Sequence, residues 1–394
     1  MHLVIVSPFP PSITGIGQYG YHVTRTLAAS GQFTRITVLT GASINKERPQ
    51  NIGITDIQVG WQPGQLNTRQ AILSHLRRLK PDLIWFNLGS SAFGKSPMAN
   101  LSGLLTPFFA RREFPTVVTL HELVELSDLR TLKAPGGALA FWGARLLTNL
   151  ATQADLVCLT MKQYADLLKA RNVDCEYIPI GSYYEPDLLE ESQAPELLFF
   201  TTIAPYKGLE LLLDTFPALR REYPQLRLMI AGAEHTRFPS YARKMKVRCD
   251  NIAGVHWLGQ VAENDVMALF RRAQIVVLPY AASTGASSVI YQAATWGRSL
   301  VVSDLKEIHT LVAENNLAVQ FFKNGDHGSL HAAISELLRS PDLRKMQTHH
   351  NFKAIQSARP METCFRYIEV FNRVLIKRHS LMRISFPYAL TENP

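Results

Sequence analysis

Short apolar runs alternate with longer stretches of helical periodicity along the chain, and this alternation predicts its architecture. In the first half, residues 2–7, 35–39, 82–87, 116–120 and 156–160 are rich in Val, Ile and Leu and predict buried strands. Residues 18–30, 68–79 and 138–152 repeat apolar positions at helical spacing between several of them. The second half restarts the pattern at residues 197–202, 226–231, 256–258, 275–279 and 299–303. Strands separated by helices imply parallel α/β layers. The Pro, Gly and acidic content between Ile178 and Pro195 marks a linker. Two doubly wound domains follow, over residues 1–185 and 186–362, each holding ligands beyond the carboxyl ends of its strands. An amphipathic stretch over residues 364–377 predicts one long helix. The tail, residues 382–394, has two prolines and no clear period and predicts irregular structure, so residues 363–394 form a terminal helix and tail.

Composition narrows the class. With 46% apolar and 19% charged residues, each half can bury a core, which excludes a disordered or low-complexity chain. No run approaches the roughly 18 apolar residues of a spanning helix, and Met1 to Val6 lacks a basic leader, so a cytoplasmic protein is expected. Cys158, Cys175, Cys249 and Cys364 are widely spaced and form no Cys-x-x-Cys pair, which predicts buried free thiols. No Asp-x-Asp motif or His/Asp cluster stands at ligand spacing, so no metal or other cofactor is expected. The net charge of +9 favours anionic ligands. Its basic residues are dispersed without an aromatic platform, which argues against nucleic acid.

Four segments offer chemistry. Gly15-Ile16-Gly17-Gln18-Tyr19-Gly20 precedes a predicted helix. It lies too far past the first strand, and without an acidic residue after the second, for a dinucleotide fingerprint. Its amides either open toward an anion or simply make a tight turn. His121 follows a strand, where it can donate to a sugar hydroxyl or be held by backbone partners. Lys207 lies at a strand-to-helix corner, suited to a diphosphate or merely solvated. Between Pro279 and a helix starting near Ser288, small residues let amides approach a phosphate or serve as ordinary caps.

At these residues the chain resembles the GT-B glycosyltransferases, in particular glycosyltransferase family 4. The resemblance rests on Gly15 to Gly17, His121, Tyr177-Ile178-Pro179-Ile180-Gly181, residues 204–208, Leu228-Met229-Ile230-Ala231-Gly232, His256-Trp257-Leu258-Gly259, and residues 292–297 followed by 299–304. It implies an α/β, GT-B fold of two facing Rossmann-like doubly wound domains with an inter-domain cleft. A nucleoside-diphosphate-sugar donor would bind mainly to the second domain, and a carbohydrate or lipid-linked acceptor to the first. Transfer would retain anomeric configuration, in polysaccharide or glycoconjugate assembly. Lys207 would grip the diphosphate, supported by the amides of Ser287, Ser288 and Val289. The loop Gly259, Gln260, Val261 would touch the base, and His121 the transferred sugar.

The chain departs from the family at three places. Thr284 and Gln292 stand where the family usually has two glutamates, at the sugar and ribose. Thr202 stands where it usually has an arginine, and Ile180 replaces the linker asparagine. Losing two carboxylates and one guanidinium makes the pocket more positive, which preserves diphosphate binding. Neutral Gln292 bonds hydroxyls more weakly than a carboxylate. Thr284 can bond a sugar hydroxyl but cannot stabilise positive charge. A non-catalytic GT-B subunit and a nucleotide-sugar epimerase are the rival readings. Residues 101–112 and 139–150 combine apolar residues with arginines. They suggest either core-facing helices or peripheral contact with the inner face of a membrane.

Overall fold

Strands that are apolar on both faces must lie inside a layer covered by helices on each side, and the computed structural model arranges them this way in two sheets. It describes residues 1–11, 14–42, 52–94, 96–126, 137–235, 237–283 and 285–385. The chain divides into two compact units. One comprises Met1–Glu122, Gly143–Pro179 and the chain from Met361; the other comprises Ile180–Pro360 with the described part of Leu123–Trp142.

The first unit contains β1 (His2–Val6), β2 (Arg35–Gly41), β3 (Thr55–Trp61), β4 (Leu83–Leu88), β5 (Thr116–Leu120), β6 (Leu156–Leu159) and β7 (Cys175–Tyr177). All pair in parallel, in the order β3-β2-β1-β4-β5-β6-β7. The second unit contains β8 (Glu196–Phe200), β9 (Arg227–Ala231), β10 (Val255–Gly259), β11 (Ile275–Leu278), β12 (Ser299–Ser303) and β13 (Gln320–Phe322). Its order is β10-β9-β8-β11-β12-β13, again all parallel. In each sheet the winding reverses once, between β1 and β4 and between β8 and β11. A crevice opens beyond the carboxyl ends of the strands at such a reversal.

β3, β7 and β13 were not anticipated from the sequence, and all three are edge strands. An edge strand is covered less completely, so it carries a short or interrupted apolar run: β3 is only partly buried, and β7 and β13 have three residues each. The helix Gly15–Ala29 begins earlier than the expected residue 18, because Thr14 caps it by accepting the Gly17 N–H at 2.9 Å. The last helix, Pro360–Ser385, corrects the expectation of irregular structure from Met382. No proline interrupts it before Pro387, and its run of good helix formers continues past Lys377. The remainder of that tail, residues 386–394, lies outside the described residues.

The linker is strapped to the second unit. Arg298, 1% exposed, donates to the carbonyls of Leu189, Glu190, Ala273 and Trp296, and burial lowers its pKa to about 10. Glu191 pairs with Arg344 in the same unit. All four cysteines are buried and free; burial raises the Cys249 thiol to about 12 and that of Cys364 to about 11, which keeps them protonated.

Candidate active site

In the first unit, the β1/β4 reversal gathers a hydrogen-bonded set around His121. Ser7, just beyond β1, donates its hydroxyl to the Pro8 carbonyl at 2.6 Å and accepts from Asn87 Nδ2 at 2.9 Å. Asn87 Nδ2 also donates to the Ile16 carbonyl at 3.0 Å. Both amide protons of Asn87 are thereby committed, so its Oδ1, 2.6 Å from His121 Nε2, can only accept. His121 therefore carries its proton on Nε2, and its Nδ1 is an acceptor. Burial pushes the His121 pKa down to about 3, so the ring is neutral near pH 7. The sequence suggested a donor to a sugar hydroxyl. In the tautomer that Asn87 imposes, the one N–H of the ring goes to Asn87 Oδ1.

The ring is also supported from below. Tyr19 meets it edge-on at 4.7 Å, and the Tyr19 hydroxyl is 2.8 Å from that of Tyr367 on the last helix. Tyr367 also bonds Thr119 Oγ1 at 2.8 Å, and Thr119 accepts from Trp85 Nε1 at 2.9 Å. Glu122, next to His121, accepts from the Ser90 amide at 2.9 Å.

Of the two readings of the glycine motif, the geometry fits glycines that serve a turn and close packing. The Gly17 amide is occupied by Thr14 Oγ1, which leaves it unavailable to an anion. A side chain at Gly15 would meet open space. Gly20 is the glycine that packing requires: a Cβ there would approach Ser7 Oγ at 2.5 Å and Asn87 Nδ2 at 2.9 Å.

In the second unit, the β8/β11 reversal builds a cradle around Lys207. The turn Pro205–Lys207 follows β8, and Gly208 ends it at φ 71°. A Cβ at Gly208 would run into the Pro279 carbonyl, so the turn presses directly on the exit of β11. The Tyr206 carbonyl accepts the amides of Ala281 and Ala282 at 3.0 and 3.3 Å, tying the two strand exits together. Lys207 Nζ lies 3.8 Å from the ring centre of Tyr280, a cation–π contact. Tyr280 is buried, and its hydroxyl lies 3.3 Å from Thr201 Oγ1 and 3.4 Å from Ser287 Oγ.

Ser287 begins the helix Ser288–Thr295, and its side chain makes no capping bond to the first turn. The Ser288 hydroxyl is engaged by Tyr183, so the backbone amides are what this terminus offers an anion. Gln292 is buried on the same helix. Tyr280 thus brings Lys207 and Ser287 together, Ser288 and Val289 follow Ser287 in the helix, and half-buried Thr202 follows the same strand as Lys207. Gly259, Gln260 and Val261 leave β10, the outer strand of the sheet. The Gly232 N–H to Gly259 carbonyl bond, 2.7 Å, connects that exit to β9. Thr284 lies outside the described residues.

Tyr280 and Asn87 are site residues that the sequence did not single out. Each sits in or just past a predicted strand, so position alone was their available signal. Among the described residues, no helix is long and apolar enough to cross a membrane.

Residues 14–181 match the family model described as glycosyl transferase 4-like domain, and residues 194–340 match glycosyl transferases group 1. No curated protein matches the chain. Sucrose-phosphate synthase from Thermosynechococcus elongatus is similar at 15% identity, with 99% of this chain and 100% of that chain covered and a TM-score of 0.68. Anabaena HepE, solved with UDP-glucose, is 17% identical over 95% of this chain and 100% of that one, with a TM-score of 0.71. Trehalose 6-phosphate synthase from Burkholderia multivorans is 13% identical over 96% and 99% of the two chains, with a TM-score of 0.69. At these identities the structures establish the likeness of fold.

Proposed function

The chain belongs to the GT-B glycosyltransferases of the group 1, family 4-like type, and on that premise we propose that it moves a sugar from a nucleoside-diphosphate-sugar donor to a carbohydrate or lipid-linked acceptor. The observation that carries the donor reading is the cradle at the β8/β11 reversal, where Lys207, Tyr280 and the first turn of the helix Ser288–Thr295 meet. Lys207 and the amides of Ser287 to Val289 hold the diphosphate. Gln292 bonds the ribose, and Gly259 to Val261 border the base. Thr284 and His121 serve the transferred sugar, His121 by accepting a hydrogen bond from a hydroxyl at Nδ1. Gly15 and Gly17 lie in the helix turn whose Ile16 carbonyl meets Asn87, and Thr202 contributes a neutral hydroxyl near the diphosphate.

The reaction we propose retains anomeric configuration. The acceptor oxygen bonds the anomeric carbon on the face from which the diphosphate departs, the bond to the phosphate oxygen breaks, and that oxygen takes the acceptor proton. The protein supplies positive charge through Lys207 and helix amides, so the proposed reaction uses no metal. The acceptor belongs to the first unit, and the place of the reaction is polysaccharide or glycoconjugate assembly in the cytoplasm.

Peripheral membrane contact is part of this proposal. Arg69 lies over the ring of Phe109 at 4.5 Å and Arg112 over that of Phe108 at 4.6 Å. On the helix Gly137–Ala151, Trp142 is 65% and Leu146 56% exposed, with Arg145 exposed between them.

The test is a calorimetric titration with UDP, GDP, ADP, dTDP and CDP, run in chelator. One diphosphate is expected to bind the wild type and to lose at least about tenfold in affinity in Lys207→Ala, since a charged contact to an anion is worth about 1.5–3 kcal/mol. Equal binding by both chains would sink the donor cradle.

A further inference from the structure

We propose that Arg237, on the loop after β9, supplies the second cation for the donor diphosphate; this rests on the donor reading given above. A diphosphate brings at least two negative charges, and Lys207 is one cation. The rings against Lys207, those of Tyr206 and Tyr280, are neutral, as are Thr201 and Ser287 at the Tyr280 hydroxyl.

The exit of β9 brings a second cation to the same corner. Beyond the sheet, the two strand exits remain stitched together: Thr201 donates to the Ala231 carbonyl at 3.1 Å, Ile203 to that of Ala233 at 2.9 Å, and His235 to that of Ile203 at 3.2 Å. Gly232 permits this approach, because a Cβ there would strike the Thr201 carbonyl. The loop then packs on the Lys207 turn through aromatic contacts. Tyr206 lies 6.0 Å from His235 and 6.3 Å from Phe238, ring centre to ring centre. The Arg237 guanidinium lies 5.4 Å from the Phe238 ring centre, and Lys207 Nζ is 5.6 Å from that of Tyr206. The Arg237 backbone N–H donates to His235 Nδ1 at 3.1 Å, which fixes the direction of the loop. Burial and the positive charges of Arg237 and Lys207 together lower the His235 pKa, so both cations act on one ring. Among the described residues, neither Lys207 nor Arg237 has a carboxylate partner. Two cations without a carboxylate partner on adjoining loops, Lys207 against Tyr206 and Arg237 against Phe238, suit two phosphate groups in sequence.

The experiment measures affinity for the nucleoside diphosphate that the wild type binds, and for the corresponding nucleoside, in wild type, Lys207→Ala, Arg237→Ala and Arg237→Ala/Thr202→Arg. Arg237→Ala is expected to weaken the diphosphate about tenfold and leave the nucleoside unchanged. Thr202→Arg, placed on the β8 exit to which the loop is stitched, is expected to recover most of that loss. Unchanged diphosphate affinity in Arg237→Ala, or an equal loss for nucleoside and diphosphate, overturns the proposal. If Lys207→Ala alone loses binding, the donor cradle survives and the role of Arg237 does not. If the wild type binds no nucleoside diphosphate, both readings fall.

Discussion

At the residue scale, the tautomer of His121 is set by partners from the β1 exit, β4 and the first helix, and its neutrality by burial. The hydroxyl of Ser7 orients the Asn87 amide, and the amide fixes the imidazole tautomer. The His121 pKa of about 3 lies below the ordinary value near 6.5, so between those pH values the unfolded chain binds a proton that the native chain does not. The stability associated with His121 is therefore complete above about pH 6.5. It is lost as pH falls toward 3, with a slope of up to about 1.4 kcal/mol per pH unit. Urea denaturation of wild type and His121→Gln from about pH 7 to 5 checks this; the wild type is expected to lose stability more steeply. Parallel slopes would mean that the ring does not resist protonation. Of this arrangement, the sequence exposed only the position of His121 at a strand end. Asn87 was legible as a strand residue and no more, because its role depends on Ser7, far away along the chain.

At the element scale, glycines divide by what lies across from them. Gly208 joins the turn Pro205–Lys207 to the helix Leu209–Glu222 with a left-handed φ, hard against the Pro279 carbonyl. Gly208→Ala adds a left-handed penalty of roughly 1–2 kcal/mol and forces the β8 and β11 exits apart. It is expected to lower stability by more than about 2 kcal/mol. Gly15→Ala, at the open start of the first helix, is expected to be neutral or stabilising by up to about 1 kcal/mol. Thermal denaturation of the two variants checks the contrast, and similar losses in both would contradict it. In the sequence the Gly-x-Gly pair left an anion site and a tight turn both open, and Gly208 was only part of the corner that carries Lys207. A motif shows spacing, whereas the need for a missing Cβ comes from atoms on another strand.

At the scale of the whole molecule, two sheets with the same strand logic each provide one reversal; His121 and Asn87 lie near the first and Lys207, Tyr280 and Ser287 near the second. The surface adds a separate property: aromatic and cationic side chains paired at Phe108, Phe109, Arg69 and Arg112, and the exposed Trp142 and Leu146. Aromatic rings beside cations suit an anionic headgroup layer. The full chain is expected to co-sediment with phosphatidylserine-containing vesicles at low salt, and less so at high salt, where screening weakens the contact. No sedimentation at low salt would remove membrane contact from the proposal.

The sequence by itself determined the central strands; the boundary it placed at residue 185 falls at Pro179/Ile180 in the division of the chain into units. A strand buried on both faces must be apolar throughout, and that demand is written locally. Edge strands β3, β7 and β13 escaped it because their coverage is partial. The tautomer of His121, the occupied amide of Gly17, the contact of Lys207 with Tyr280 and the packing of the loop after β9 on Tyr206 were decided only by the tertiary structure. Each depends on which strand exits become neighbours, and strand order is a property of the folded sheet that no local window of residues contains.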